Sequence, residues 1–362
     1  MPLDGGGGLF ANPLTFRPML GDPLGIHRVI EPEGALPQPA WRLDNDINRR
    51  FETEIHVDVD ALNVDAASFR QMEMATGGDE TGIAELVRQT VQARGKQHNP
   101  VTGSGGMLLG RVAWVGASAE ERGFTVGDRV ATLASLTLTP LALRNIRAVR
   151  RESAQIDVEA SAVVFLSAAM VKLPSDLPER LALALCDVAG AAPQIARHAK
   201  QGQRVVVLGA GGKSGLLCSA EARRQVGARG EVIGIEPNER AAADLERLGI
   251  CRVLRVDARG ALAVRDAVLR ATSGHEADLV VSCVNVEGAE PAAILVARPR
   301  GKIYYFAMST SFTAAALGAE GMSKDVDMYI GNGYAEGHAE HTFELVRSAP
   351  ALRELLTRRY AE

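Results

Sequence analysis

The chain has 362 residues, 46% of them hydrophobic and 23% charged, an ordinary globular balance with room for two domains and sizeable cores. Its net charge of −4 and pI near 6.0 argue against a nucleic-acid partner held through phosphate contacts. No apolar run of about eighteen residues suggests a membrane span, the first residues lack the pattern of a secretory signal, and Cys186, Cys218, Cys251 and Cys283 form no CxxC pair, so a cytoplasmic protein with reduced core thiols is expected.

Residues 1 to about 30 are rich in glycine and proline and are expected to run over the surface. Glu54 to Leu62 alternates cleanly and predicts an amphipathic strand. A helix is expected to start near Ala66, and Ile83, Leu86, Val87 and Val91 give Thr81 to Arg94 helical spacing. Leu108 to Val115 reads as a strand, and Phe124 to Ala131 as a turn at Gly127 and Asp128 feeding another. This first part is β-rich. Leu177 to Lys200 reads as a helical bridge into a second part with a different period. There, strands near 204–208, 231–235, 252–256, 278–283, 302–306 and 326–330 alternate with helices near 213–227, 238–248, 260–272 and 288–297, which implies a parallel sheet with right-handed crossovers. The tail, Glu340 to Tyr360, is helical.

The densest signal lies at Arg204 to Cys218. Val205 to Leu208 are apolar without alternation, as in a strand covered on both faces. Gly209, Gly211, Gly212 and Gly215 follow, then a helical pattern. Glycines there let the backbone approach a diphosphate, and a helix N-terminus offers it unpaired N–H groups. About twenty residues later a second strand ends in Glu236, where a dinucleotide fold places the acid for the ribose hydroxyls. A phosphate-binding P-loop is excluded, because Val207 stands where that motif needs its first glycine. Lys213 is either a diphosphate partner or a solvated lysine. Strand ends nominate Asp257, Cys283, Asn285, Met308 and Ser309 as further coenzyme contacts beside Ser214. Glu236 favours NAD, Arg240 leaves NADP open, and Asn238 tolerates either.

A β-rich domain followed by a dinucleotide domain resembles the medium-chain dehydrogenase/reductase superfamily. Phe124 to Val130 is similar to its G-D-R-V strand entry, and Gly209 to Gly215 to its glycine turn. The expected fold is α/β, an N-terminal GroES-like β-rich catalytic domain (1–172), a Rossmann doubly wound parallel sheet (173–335) and C-terminal helices (336–362) packing back at the domain junction. No cysteine precedes Cys186, so the superfamily's zinc ligand sets are missing and no metal is expected. Five blocks carry a closer resemblance: Gly25 to Pro32, Leu36 to Trp41 with Asp44 and Asp46, Leu62 to Phe69, Asn99 to Met107, and Thr310 to Gly321 with Lys324 to Met328. Together they resemble the L-erythro-3,5-diaminohexanoate dehydrogenase family. The resemblance implies NAD-dependent oxidative deamination of a small diamino acid, as in lysine fermentation. Superfamily analogy adds a homodimer.

Such chemistry needs a group that keeps the reacting amine neutral and activates water. Asp65 is favoured as that base, with helix capping as the competing role. Asn63 and Ser68 beside it and His98 complete the catalytic candidates. Asp44, Asp46, Asp187, Asp325, Asp327 and His27 are weaker ones, and Thr102 to Gly106 is either a source of backbone N–H groups for the cleft or a plain turn. Two other readings stay open: a zinc-free quinone or enoyl reductase of the same superfamily, and a non-catalytic nucleotide-binding subunit.

Overall fold

A computed structural model describes residues 19–307 and 309–361. The first described segment holds a short antiparallel pair, β1 (Val29–Glu31) and β2 (Arg42–Leu43). Of the glycine- and proline-rich stretch expected on the surface, residues 1–18 lie outside the described residues; most of 19–30 is exposed or part-buried, but Arg28 is fully buried against Glu54. The N-terminal sheet is built from β3 (Glu54–Asn63), β4 (Met107–Val115), β5 (Arg129–Thr132), β6 (Leu141–Arg150), β7 (Gln155–Phe165) and β8 (Met170–Lys172). Its order is β6-β7-β3-β4-β5-β8, antiparallel throughout. Two helices, α1 (Ala66–Thr76) and α2 (Glu80–Arg94), fill the link between β3 and β4. Asp65 and Asp79 cap them through backbone N–H groups, and glycines at positive φ close them.

The expected single bridge is two helices, α3 (Glu179–Cys186) and α4 (Ala191–His198). They break at Gly190, where an added Cβ would meet the Gly333 carbonyl oxygen at 2.3 Å. The second sheet contains β9 (Arg204–Leu208), β10 (Glu231–Ile235), β11 (Arg252–Leu254), β12 (Ala277–Ser282), β13 (Ala297–Tyr305) and β14 (Asp327–Ile330). All six strands are parallel in the order β11-β10-β9-β12-β13-β14, the two-halved order of a dinucleotide fold. Between them run α5 (Lys213–Val226), α6 (Glu239–Leu248), α7 (Ala261–Ala271), α8 (Glu290–Val296) and α9 (Phe312–Gly321).

The unbroken valine run of β9 serves both faces of this sheet. Val205 and Val207 join a core with Leu216, Leu217 and Leu245 of α5 and α6, while Val206 and Leu208 join one with Val264, Val268 and Ala292 of α7 and α8. The first of these cores also takes Ala61, Leu109, Ala131 and Val171 from the N-terminal sheet, so the two sheets share buried apolar surface. The tail forms α10 (His338–Ser348) and α11 (Pro350–Tyr360), split at the Ala349–Pro350 step, and both pack on α3.

Candidate active site

β9 runs straight into the glycine turn. Gly209 has φ 73°, and a Cβ on Gly215 would lie 2.1 Å from the Gly209 oxygen, so strand and helix approach this closely only as glycines. Glu236, one residue beyond β10, reaches back to the turn. One of its oxygens accepts from the Gly211 N–H at 2.9 Å and the other from the Asn238 N–H at 2.9 Å. Those bonds orient the carboxylate and leave further lone pairs for ribose hydroxyls. Asn238 caps α6 by accepting from the Ala241 N–H at 3.0 Å. Gly212 caps α5 without any side-chain bond and lies exposed, and a Cβ there would meet only the Gly209 oxygen, at 3.7 Å. The N-terminus of this 14-residue helix, with Ser214 in its first turn, therefore opens to solvent, and the turn fits a dinucleotide diphosphate.

Lys213 is not a solvated lysine. Its ammonium bonds Asp187 at 2.8 Å, lies over the Tyr360 ring at 5.4 Å, and its side chain is only 12% exposed. Asp187, read from sequence as a possible acid, is its partner. Arg240 stands exposed and makes no hydrogen bond or ion pair among the described residues. Cys283 donates its backbone N–H to the Leu208 carbonyl at 2.9 Å and passes against Gly209, and the Ser309 hydroxyl donates to the Val284 carbonyl at 2.9 Å. Asn285 is exposed in the same loop, and Met308 lies outside the described residues. Asp257 differs: its oxygens are taken up by the Arg259 N–H and guanidinium, and no bond brings it to the turn.

A second polar cluster forms where β3 ends. Asp65 does cap α1, accepting from the Ser68 N–H at 3.0 Å, but only one oxygen is spent that way. The other accepts from the Ser104 hydroxyl at 2.7 Å. Ser104 in turn contacts the Ser68 hydroxyl at 2.7 Å, and Ser68 contacts the Thr102 hydroxyl at 2.5 Å. Capping and membership of a polar cluster thus coexist in one residue. The loop delivering Thr102 and Ser104 is shaped by Asn99, whose side chain accepts from the N–H groups of Val101 and Thr102 and donates to Gln71 of α1. At its end Gly106 has φ 102°, and a Cβ there would lie 1.9 Å from the Asn63 oxygen, so the loop and β3 touch backbone to backbone.

Asn63 and His98 stand apart from this cluster. The Asn63 amide is fully buried, donates to the Val64 carbonyl at 3.4 Å and leaves its oxygen without a partner among the described residues. The His98 ring is pushed down to about 4 by burial and by the charges of Arg94 and Lys96, and its Nδ1 has no partner among the described residues. A ring held neutral at physiological pH is poorly placed for a proton shuttle, and no hydrogen bond joins it to Asp65. The remaining acids take structural places. Asp44 and Asp46 make turn bonds and pair with Arg49 and Asn48, whereas Asp325 and Asp327 are exposed at the start of β14, opposite the carboxyl ends of the strands. His27 bonds Glu54 at 2.9 Å in a buried network. Among the described residues no three His, Cys, Asp or Glu side chains gather as a metal site.

Residues 27–174 match the family model for the L-erythro-3,5-diaminohexanoate dehydrogenase N-terminal domain. A protein of Acetoanaerobium sticklandii named L-erythro-3,5-diaminohexanoate dehydrogenase is 46% identical over 94% of this chain and 100% of its own length. The chain belongs to the L-erythro-3,5-diaminohexanoate dehydrogenase family. A second member, from Fusobacterium nucleatum, is 44% identical over 93% of this chain and 98% of its own. Among solved structures, a mycobacterial protein complexed with NADPH shares the fold at a TM-score of 0.53, with 17% identity over 85% of this chain and 89% of that one. The family assignment makes this diaminohexanoate dehydrogenase homologue an oxidoreductase, and its Rossmann-like sheet suits a nicotinamide coenzyme. The hydroxyls of Thr102 and Ser104 escaped the sequence reading, which considered only backbone N–H groups there. Their signal was present as the spacing of two hydroxyl residues around one glycine inside a block of the family resemblance.

Proposed function

We propose that the protein oxidatively deaminates L-erythro-3,5-diaminohexanoate to 5-amino-3-oxohexanoate with release of ammonium, using NAD, in the cytoplasm and within lysine fermentation. Full-length similarity to two proteins bearing that substrate's name carries the proposal. Two separate groups of residues support it, one for each demand of the reaction. The glycine turn and Glu236 suit the diphosphate and ribose of the coenzyme. A bound nicotinamide supplies the hydride acceptor. Asp65 supplies the base: it takes a proton from the substrate ammonium so that the C3 amine can lose hydride, and then from the water that attacks the resulting iminium. Ser104 fixes the carboxylate oxygen that does so, and Ser68 and Thr102 extend the chain of hydroxyls along which a proton can leave. The balance closes: the substrate ammonium, oxidised NAD and water give ketone, free ammonium, NADH and one proton, which leaves through Asp65.

Absorbance of the reduced nicotinamide on adding the diamino acid to purified protein tests this reading. Turnover with the diamine and none with simple alcohols is expected. Oxidation of NADPH by an electrophilic alkene, without turnover of the amine, would establish the quinone or enoyl reductase reading instead. Binding of coenzyme with no turnover of amine, alcohol or alkene would leave a non-catalytic subunit. NAD is the expected coenzyme because the Glu236 carboxylate repels a 2′-phosphate, and the same assay with NADP measures how far Arg240 offsets that repulsion.

A homodimer joined at β14 belongs to the same proposal. That strand is the edge of the parallel sheet, and Ile330 on it is 64% exposed, with Phe312 and Leu317 of the preceding helix also exposed. Light scattering should give twice the 38.4 kDa chain mass, and Ile330→Lys should lower it to one. A monomer in the unsubstituted protein would end the dimer proposal.

A further inference from the structure

The last helix of the chain reaches the glycine turn. Arg359 of α11 donates from one guanidinium nitrogen to the Gly211 carbonyl at 2.8 Å and from another to Asp244 of α6 at 2.5 Å. Gly211 is thereby held on both sides, its N–H by Glu236 and its carbonyl by Arg359. There is little slack at this residue, since a Cβ would meet Ala241 at 2.6 Å and Glu236 at 2.7 Å. Tyr360, the next residue, lies against Lys213, the first residue of α5. Beside them a pocket is lined by Glu152, Asn238, Arg240, Ala241, Arg359 and Tyr360, so α6 and α11 both contribute to its walls.

We propose that Arg359 is a positioning residue for the coenzyme, locking the diphosphate-binding turn through Gly211 and making α11 a wall of the adenosine end of the site. The planar guanidinium suits this task. Its fork directs two N–H groups at fixed angles, so anchoring one arm on Asp244 aims the other at the turn. The anchor is firm because the Asp244 side chain is only 2% exposed. A peptide group fixed before the ligand arrives does not have to be ordered on binding, which strengthens binding without adding a contact to the ligand. This inference rests on the reading of the turn as a nicotinamide dinucleotide site.

Asp244 is also paired with Arg247 and Arg358, so removing Arg359 does not strand its charge. Arg359→Met should therefore fold and melt close to the unsubstituted protein. The test titrates NADH and NADPH by fluorescence into the full chain and into Arg359→Met, Arg359→Lys and Arg247→Met. Losing one charge-assisted hydrogen bond predicts a dissociation constant about tenfold weaker in Arg359→Met, with the KM for coenzyme raised and kcat nearly kept. Arg359→Lys should recover part of the affinity, because one ammonium can still reach the Gly211 carbonyl. Arg247→Met removes a partner of Asp244 that does not touch the turn, and should bind coenzyme normally. Unaltered affinity in both Arg359 variants overturns the inference, as does an equal loss in Arg247→Met. If the unsubstituted chain binds neither coenzyme, the dinucleotide reading itself falls and takes this inference with it.

Discussion

Asp65→Asn is expected to lower kcat for the diamine by about 10²–10⁴-fold, the usual contribution of a positioned base, while leaving coenzyme affinity unchanged. The substitution separates the two roles of this residue. Asparagine is as good an N-cap as aspartate, so α1 should keep its start and the chain its stability. The hydrogen bond from Ser104 can be kept by the amide oxygen or lost, but an amide has no proton affinity to offer an ammonium or a water. Asp65→Ala should cost the same activity and also about 1 kcal/mol of stability through the lost cap. Ser104→Ala, which removes only the group orienting the carboxylate, should reduce kcat less than either. Steady-state rates and melting curves on the three variants decide the matter. An unchanged kcat in Asp65→Asn would reduce Asp65 to a helix cap and send the search for the base elsewhere.

Much of the nucleotide domain was legible because its signals are local. The strand, turn, helix and second strand between Arg204 and Glu236 are contiguous, and each carries its own period or glycine. The β6–β7 hairpin was not. Its register shifts between Leu143 and Asn145 and again between Ile146 and Ala148, so the alternation that marks a strand is broken twice within ten residues. The division of the helical bridge before Gly190 was equally hidden, since the apolar run continues across it and the close backbone approach at Gly190 is to distant Gly333. Site residues divide the same way. Asp65 was readable as the residue after an alternating strand, but its pairing with Ser104 spans 39 positions and two helices. The bond from Arg359 to Gly211 spans 148, and nothing near either residue announces it. Lys213 was ambiguous for a related reason: a lysine at a helix start looks the same whether its partner is solvent, a ligand or a carboxylate on another helix.

Glu54→Gln is expected to destabilise the N-terminal sheet by about 3–5 kcal/mol, the scale set by leaving one member of a buried ion pair without its partner. Arg28 and Glu54 both have fully buried side chains. The Arg28 guanidinium donates to the two carboxylate oxygens at 2.7 and 2.8 Å, and the ring nitrogens of His27 and His56 reach them at 2.9 and 3.1 Å. The His27 Nδ1 accepts from the Asp22 N–H, which leaves its Nε2–H to donate to Glu54. Burial alone would raise the Glu54 carboxyl, but the bonds from Arg28, His27 and His56 outweigh it and hold the group well below the usual carboxylate range. A carboxyl depressed in the folded state stabilises the protein above its unfolded value, about 4.3, and that stability is lost as pH falls below it. The urea midpoint of the unsubstituted chain should therefore drop steeply below about pH 4.3, whereas Glu54→Gln should start lower and lose less with acid. The consequence reaches the site because Glu54 opens β3 and Asn63 closes it, two residues before Asp65. Loosening the start of that strand is expected to loosen the segment that presents Asp65. An unchanged urea midpoint in Glu54→Gln, with the acid slope intact, would mean that Arg28 finds a new partner and that the carboxylate is not what anchors β3.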